Sequence, residues 1–173
     1  IYNIDNGEIE FKNVSFKYKE EGNKYVLSNI NLKIESGQMI GILGGTGSGK
    51  TSLVNLISRI YDVNEGEVIL SGHNVKEYDV DSLRENIAVV LQKNILFSGS
   101  VKENLKWGNE NATDEEIIHF SKLACADEFV SKFEGGYDYK IEQGGSNVSG
   151  GQKQRLCIAR ALIKKPKVLI LDD

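Results

Sequence analysis

Apolar residues recur at Ile9, Phe11, Val14 and Phe16, an alternation broken by one extra step between Phe11 and Val14. Alternation predicts a half-buried strand, and the extra step predicts a bulge or bend. A polar loop over residues 19–24 leads to a second alternating stretch at Ile30, Leu32 and Ile34, so the two strands read as an antiparallel ribbon. Past Ser36-Gly37 comes Met39-Ile40-Gly41-Ile42-Leu43, a continuous apolar run of the kind buried inside a parallel sheet. A glycine-rich loop follows and opens a helix carrying Leu53, Leu56, Ile57 and Ile60.

Residues 67–70 and 87–91 predict further strands. Residues 101–133 are helical in pattern, with Ile117, Ile118, Leu123, Phe129 and Val130 as apolar positions. Inside that stretch Thr113, followed by Asp114-Glu115-Glu116, makes a capping box. A second glycine-rich stretch, 144–151, opens a helix carrying Leu156, Ile158, Ala159, Leu162 and Ile163. Pro166 ends it, and residues 167–171 predict a last buried strand. No internal repeat is present.

Composition narrows the class. With 40% hydrophobic and 27% charged residues the chain has the balance of a soluble globular protein. A net charge of −4, with both signs interspersed, argues against a dedicated nucleic-acid binder. The longest apolar runs, such as Val168-Leu169-Ile170-Leu171, fall far short of the roughly 20 residues needed to span a bilayer, and no signal peptide opens the chain. Any membrane connection is therefore expected outside this stretch or in a partner. Cys125 and Cys157 form no CxxC pair and read as reduced thiols, and His73 and His119 as surface residues. The chain starts at Ile1 and stops directly after an apolar strand, which reads as a C-terminally truncated piece of a longer polypeptide.

The chemistry lies in the glycine-rich stretches. Gly44-Gly45-Thr46-Gly47-Ser48-Gly49-Lys50-Thr51 fits the phosphate-binding P-loop pattern GxxxxGK[ST] at every required position, and Ser52 is the next residue of the cradle. Glycines let backbone N–H groups converge on phosphate oxygens, and the helix N-terminus adds positive potential. Lys50 is expected on the β- and γ-phosphates and Thr51 on Mg²⁺. Asp172 ends the apolar strand 168–171, where such proteins hold Mg²⁺, usually through water. In the second stretch Ser149 is a natural N-cap, and Gly150 and Gly151 expose N–H groups at the start of a helix. That pentapeptide, Val148 to Gln152, fits a second anion site for a nucleotide held by another subunit, and equally an ordinary glycine-rich helix start.

Residues 147–162, NVSGGQKQRLCIARAL, resemble the signature helix of ATP-binding cassette proteins, with Val148 where Leu is usual. Gln92 matches that family's Q-loop glutamine, which touches Mg²⁺ and the attacking water. Tyr18, in VSFKY, matches the aromatic residue that stacks on adenine; on its own it reads as a strand-end surface tyrosine. Residues 90–107, VLQKNILFSGSVKENLKW, resemble multidrug, lipid and peptide exporters, whose helical lobe docks on coupling helices of a transmembrane domain. The resemblance covers essentially the whole chain.

The resemblance implies an α/β fold: a RecA-like P-loop NTPase core with a mainly parallel sheet, an antiparallel β-subdomain and an inserted α-helical subdomain. Residues 1–92 and 148–173 would form the core and β-subdomain, and 93–147 the helical lobe. ATP with Mg²⁺ would be bound by Tyr18, the 44–52 cradle, Gln92 and Asp172, with Thr51, Gln92 and Asp172 around the metal. Lys50, Gln92 and Asp173 would be the catalytic set, while Ser149, Gly150, Gly151 and Gln152 would act in trans on the ATP of a second nucleotide-binding domain. Head-to-tail dimerisation and hydrolysis would drive a transmembrane partner from the cytoplasmic face of the cell membrane, with no nucleic-acid partner.

Two positions depart from the family pattern. Asp173 stands where the catalytic base is a Glu, and Gln143 where a Glu is usual before the signature. Both resemble the degenerate half of heterodimeric bacterial exporters, which implies a slow own site and a partner that is a different chain. Rival readings are a soluble cassette ATPase acting on nucleic acid or ribosomes, disfavoured by the exporter-like 90–107 segment and the acidic balance, and a P-loop kinase, disfavoured by the signature helix.

Overall fold

The computed structural model describes residues 1–19 and 24–172, and divides into two compact units, residues 1–87 and 88–173. Most of the expected loop over 19–24 lies outside the described residues.

In the first unit, β1 (Ile9–Phe16) pairs antiparallel with β2 (Leu27–Ile34) on one side and β3 (Glu65–Leu70) on the other. A short β4 (His73–Asn74) completes the order β2-β1-β3-β4. The predicted bulge is present: the register against β2 shifts between Phe11 and Val14, and Asn13 sits at φ 50°. The extra residue lets Phe11, Val14 and Phe16 all face inward, each at most 3% exposed, despite their odd spacing. Helix α1 (Lys50–Ile57) lies against β3 and buries Leu53, Leu56 and Ile57. Ile60 lies beyond its end and is exposed. From α2 (Val80–Glu85), Arg84 donates from Nε to the Ser58 carbonyl (3.2 Å) and from Nη2 to that of Arg59 (3.0 Å). A guanidinium thus closes the C-terminal end of α1, where carbonyls lack helical partners and the dipole favours a cation.

The apolar run at 39–43 departs from expectation. It forms no strand, and Met39 and Leu43 are 95% and 97% exposed. A parallel-type strand exists only through the ladder of its neighbours, and no described strand pairs with these residues.

In the second unit, β5 (Ile87–Val90) pairs with β8 (Val168–Leu171), and β6 (Gly99–Ser100) pairs antiparallel with β7 (Lys140–Ile141). Strand β8 buries Val168 and Ile170 but exposes Leu169 and Leu171, so it is half-buried rather than buried, having only β5 beside it among the described residues. The helical stretch 101–133 is three helices: α3 (Val101–Lys106), α4 (Asp114–Leu123) and α5 (Asp127–Val130). Gly108 and the Thr113 cap separate the first two, and Cys125 at φ 55° separates the last two. Because α4 starts afresh, only Ile117 of its expected apolar positions is fully buried; Ile118 and Leu123 are exposed. Helices α3 and α4 pack on α6 (Gly150–Ile163) over a core that includes Leu105, Ile117, Val130, Leu156 and Ile163.

Asn104, 1% exposed, is spent on the backbone: Oδ1 accepts from Phe97 N–H (2.8 Å), and Nδ2 donates to the carbonyls of Phe97 (2.8 Å) and Ser100 (3.0 Å). A poor helix former in mid-helix is here a clamp that fixes the chain ahead of α3.

Candidate functional site

The 44–52 cradle is built around an unfilled helix start. Helices α2, α3, α4 and α6 are capped by the side chains of Asp79, Ser100, Thr113 and Ser149, whereas α1 begins at Gly49 (φ 93°, ψ 8°) with no side-chain cap. A helix start with a glycine in place of a capping side chain is an arrangement suited to an anion. A Cβ on Gly44 would lie 2.4 Å from Ser48 Oγ, so a side chain there would displace that hydroxyl. The Lys50 ammonium folds back over the loop, donating to the carbonyls of Gly44 (2.6 Å) and Gly45 (3.0 Å). Thr46, Gly47 and Ser48 form the exposed tip, and Thr51 is exposed on the first turn of the helix.

Tyr18 is tied to this cradle. Its hydroxyl lies 2.7 Å from the Oγ of Ser52, a buried residue of α1. The half-buried ring meets Phe16 (4.8 Å) and Tyr61 (5.1 Å) edge-to-face, beside an open cleft of about 700 Å³.

Other predicted site residues belong to the second unit. Gln92 is exposed two residues beyond β5, and Asp172 directly follows β8, its N–H donating to the Val90 carbonyl (2.9 Å). Pairing of the two strands thus brings Gln92 and Asp172 to neighbouring strand ends. Asp173 lies outside the described residues. At the start of α6, Ser149 Oγ accepts from Gln152 N–H (3.2 Å) and Gln152 Oε1 accepts from Ser149 N–H (3.0 Å), a full capping box. A Cβ on Gly150 or Gly151 would meet nothing within 4 Å, so this helix start is open to approach. Farther along α6, burial pushes the Cys157 thiol above its ordinary range, with Arg160 opposing.

Sequence reasoning missed Tyr61, Asn64 and Asn104. The available signals were an aromatic residue just beyond an ending helix and an Asn between helix formers.

The sequence profile of the family described as ABC transporter matches residues 27–173. Among curated proteins, the chain is 46% identical over 167 residues to ABC transporter B family member 2 of Dictyostelium discoideum, covering 96% of the chain and 12% of that protein. It is 45% identical over 170 residues to a putative multidrug export ATP-binding/permease protein of Staphylococcus aureus, covering 98% of the chain and 29% of that protein. Among solved structures, a bacterial Atm1-family ABC exporter with ATP bound aligns with TM-score 0.90 and 30% identity, covering 98% of this chain and 29% of that one. The chain therefore spans less than a third of the relatives it matches, and shares their mixed α/β nucleotide-binding fold.

Proposed function

This chain belongs to the ABC transporter family, and on that premise we propose that it is the nucleotide-binding domain of an exporter, binding Mg-ATP and coupling its hydrolysis to export across a membrane. The observation that carries the reading is the uncapped start of α1 under a glycine loop closed by Lys50. Binding exchanges the Gly44 and Gly45 carbonyls for phosphate oxygens at the lysine, with the phosphates at the start of α1. Among the described residues no three His, Cys, Asp or Glu side chains converge on a metal-sized site. Mg²⁺ keeps waters and substrate phosphates and takes few protein oxygens; the family resemblance assigns that role to Thr51, Gln92 and Asp172. Tyr18 supplies a ring face for adenine. Tyr18→Ala should weaken Mg-ATP binding while Tyr18→Trp preserves it, as titration calorimetry would read; equal affinity in both variants would return Tyr18 to the role of a strand-end residue.

Residues 93–147 form the lobe that meets a transmembrane domain on the cytoplasmic face of the membrane. In support, the rings of Phe97 and Trp107 meet at 4.9 Å, tilted by 30°, while 44% and 69% exposed, an aromatic pair left at the surface. No described helix is long and apolar enough to cross a membrane, so the spans would be supplied by other sequence. Ser149, Gly150, Gly151 and Gln152 complete the ATP site of a second nucleotide-binding domain, which is a different chain carrying Glu where this one has Asp173.

The Asp173 site itself turns over slowly. Its carboxylate is one methylene shorter than that of Glu, which draws it back by roughly 1 Å, and misplacement of that order costs about 10²-fold in rate. Acidity decides little, since the two residue types differ by only about 0.4 unit in pKa. Asp173→Glu, with the partner's own base changed to Gln, should raise the ATPase rate of the assembled protein; no gain, or a fast wild-type homodimer, would refute the degenerate-site reading.

A further inference from the structure

Tyr18 is held by groups that the proposed function leaves unused. Residues 61–64, between α1 and β3, hold it in two independent ways, one on its ring and one on the backbone leading into it. Tyr61 meets the Tyr18 ring at 5.1 Å and 87°, edge-to-face, and also contacts Phe16. Asn64 clamps the backbone leading into Tyr18: its Oδ1 accepts from Lys17 N–H (2.8 Å), and its own N–H donates to the Ser15 carbonyl (3.1 Å). The loop is itself braced, Arg59 Nε donating to Asp62 Oδ1 at 3.0 Å. The Ser52 hydroxyl lies 2.7 Å from Tyr18 Oη.

A tyrosine at the end of a strand would otherwise rotate about two side-chain torsions, and a base would have to pay the entropy of stopping it. Here the ring is stopped beforehand, and by segments that adjoin α1 directly. We infer that Tyr61 and Asn64 are positioning residues for base recognition: they fix the ring of Tyr18 against α1 and so set the spacing between the base platform and the phosphate cradle. The inference rests on the reading that Tyr18 stacks on adenine.

The cradle alone binds a phosphate chain, so positioning of the base platform is separable from phosphate binding. The test is calorimetric binding of Mg-ATP and of magnesium tripolyphosphate, which has no base, to the intact protein. Tyr61→Ala should weaken ATP roughly two- to tenfold, the range of an aromatic pair, and leave tripolyphosphate unchanged. Tyr61→Phe keeps the edge-to-face contact and should restore wild-type affinity. Asn64→Ala should likewise weaken ATP alone, and Asn64→Asp, which keeps the acceptor for Lys17 N–H, should recover most of it. Equal weakening of both ligands would mean a general structural role and overturn the inference. Unchanged ATP affinity in Tyr61→Ala and Asn64→Ala, with loss in Tyr18→Ala, would overturn it while leaving adenine stacking intact. No effect of Tyr18→Ala would remove the base platform and the inference together.

Discussion

Lys50→Ala is expected to weaken Mg-ATP binding by about 10²-fold or more while leaving the fold nearly as stable as before. A charge pair at about 4 Å near a protein surface interacts by roughly 4 kcal/mol, but the lysine must first give up acceptors it already has. Those acceptors are the carbonyls of Gly44 and Gly45, at 2.6 and 3.0 Å, on a loop open to water. Water replaces the lysine there at small cost, so the discount is about 1 kcal/mol and the remainder is worth about 10²-fold. The same exposure explains why stability should hardly move: nothing buried loses a partner. Calorimetric titration of ATP, read beside a thermal unfolding scan without nucleotide, separates the two effects. Wild-type ATP affinity in the variant would remove the phosphate site from the 44–52 loop.

Gly108→Ala is expected to cost a large share of the stability of its unit. A Cβ at that position would stand 2.1 Å from the carbonyl oxygen of Arg160 and 3.1 Å from its carbon, in the backbone of α6. The cause is close approach, since two stretches of main chain meet and neither can rotate away. Overpacking of a core side chain typically costs 1–3 kcal/mol; with backbone against backbone the cost should be at or above about 3 kcal/mol. That corresponds to a melting point lower by roughly 6–12 °C for a unit within a chain of this size. Ala at Gly150, where a Cβ meets nothing within 4 Å, is the control and should be neutral or slightly stabilising in a helix. A Gly108→Ala melting point equal to that of wild type would contradict the packing. Helix α6 starts at the Ser149 cap, so any shift that relieves Gly108→Ala would also move Gly150 and Gly151.

What the sequence determined by itself was local. The β1 bulge, the capping boxes at Thr113 and Ser149, and the uncapped glycine start of α1 each depend on residues a few positions apart, whose chemistry settles the geometry without outside help. The P-loop and signature patterns are likewise local, since each is a run of consecutive residues whose backbone amides would do the binding. What only the tertiary structure decided involves groups distant in sequence. Residues 39–43 read as a buried strand because their composition suits one, but a ladder belongs to its neighbours, and no described strand pairs with them. Periodicity ran unbroken across 101–133, yet Gly108 against Arg160 and the left-handed turn at Cys125 cut it into three helices. Tyr61 and Asn64 carried no motif; they matter because β1 and β3 pair and bring residues 61–64 beside Lys17 and Tyr18. A pattern along the chain records what each residue can do, and packing decides which residues are close enough to do it together.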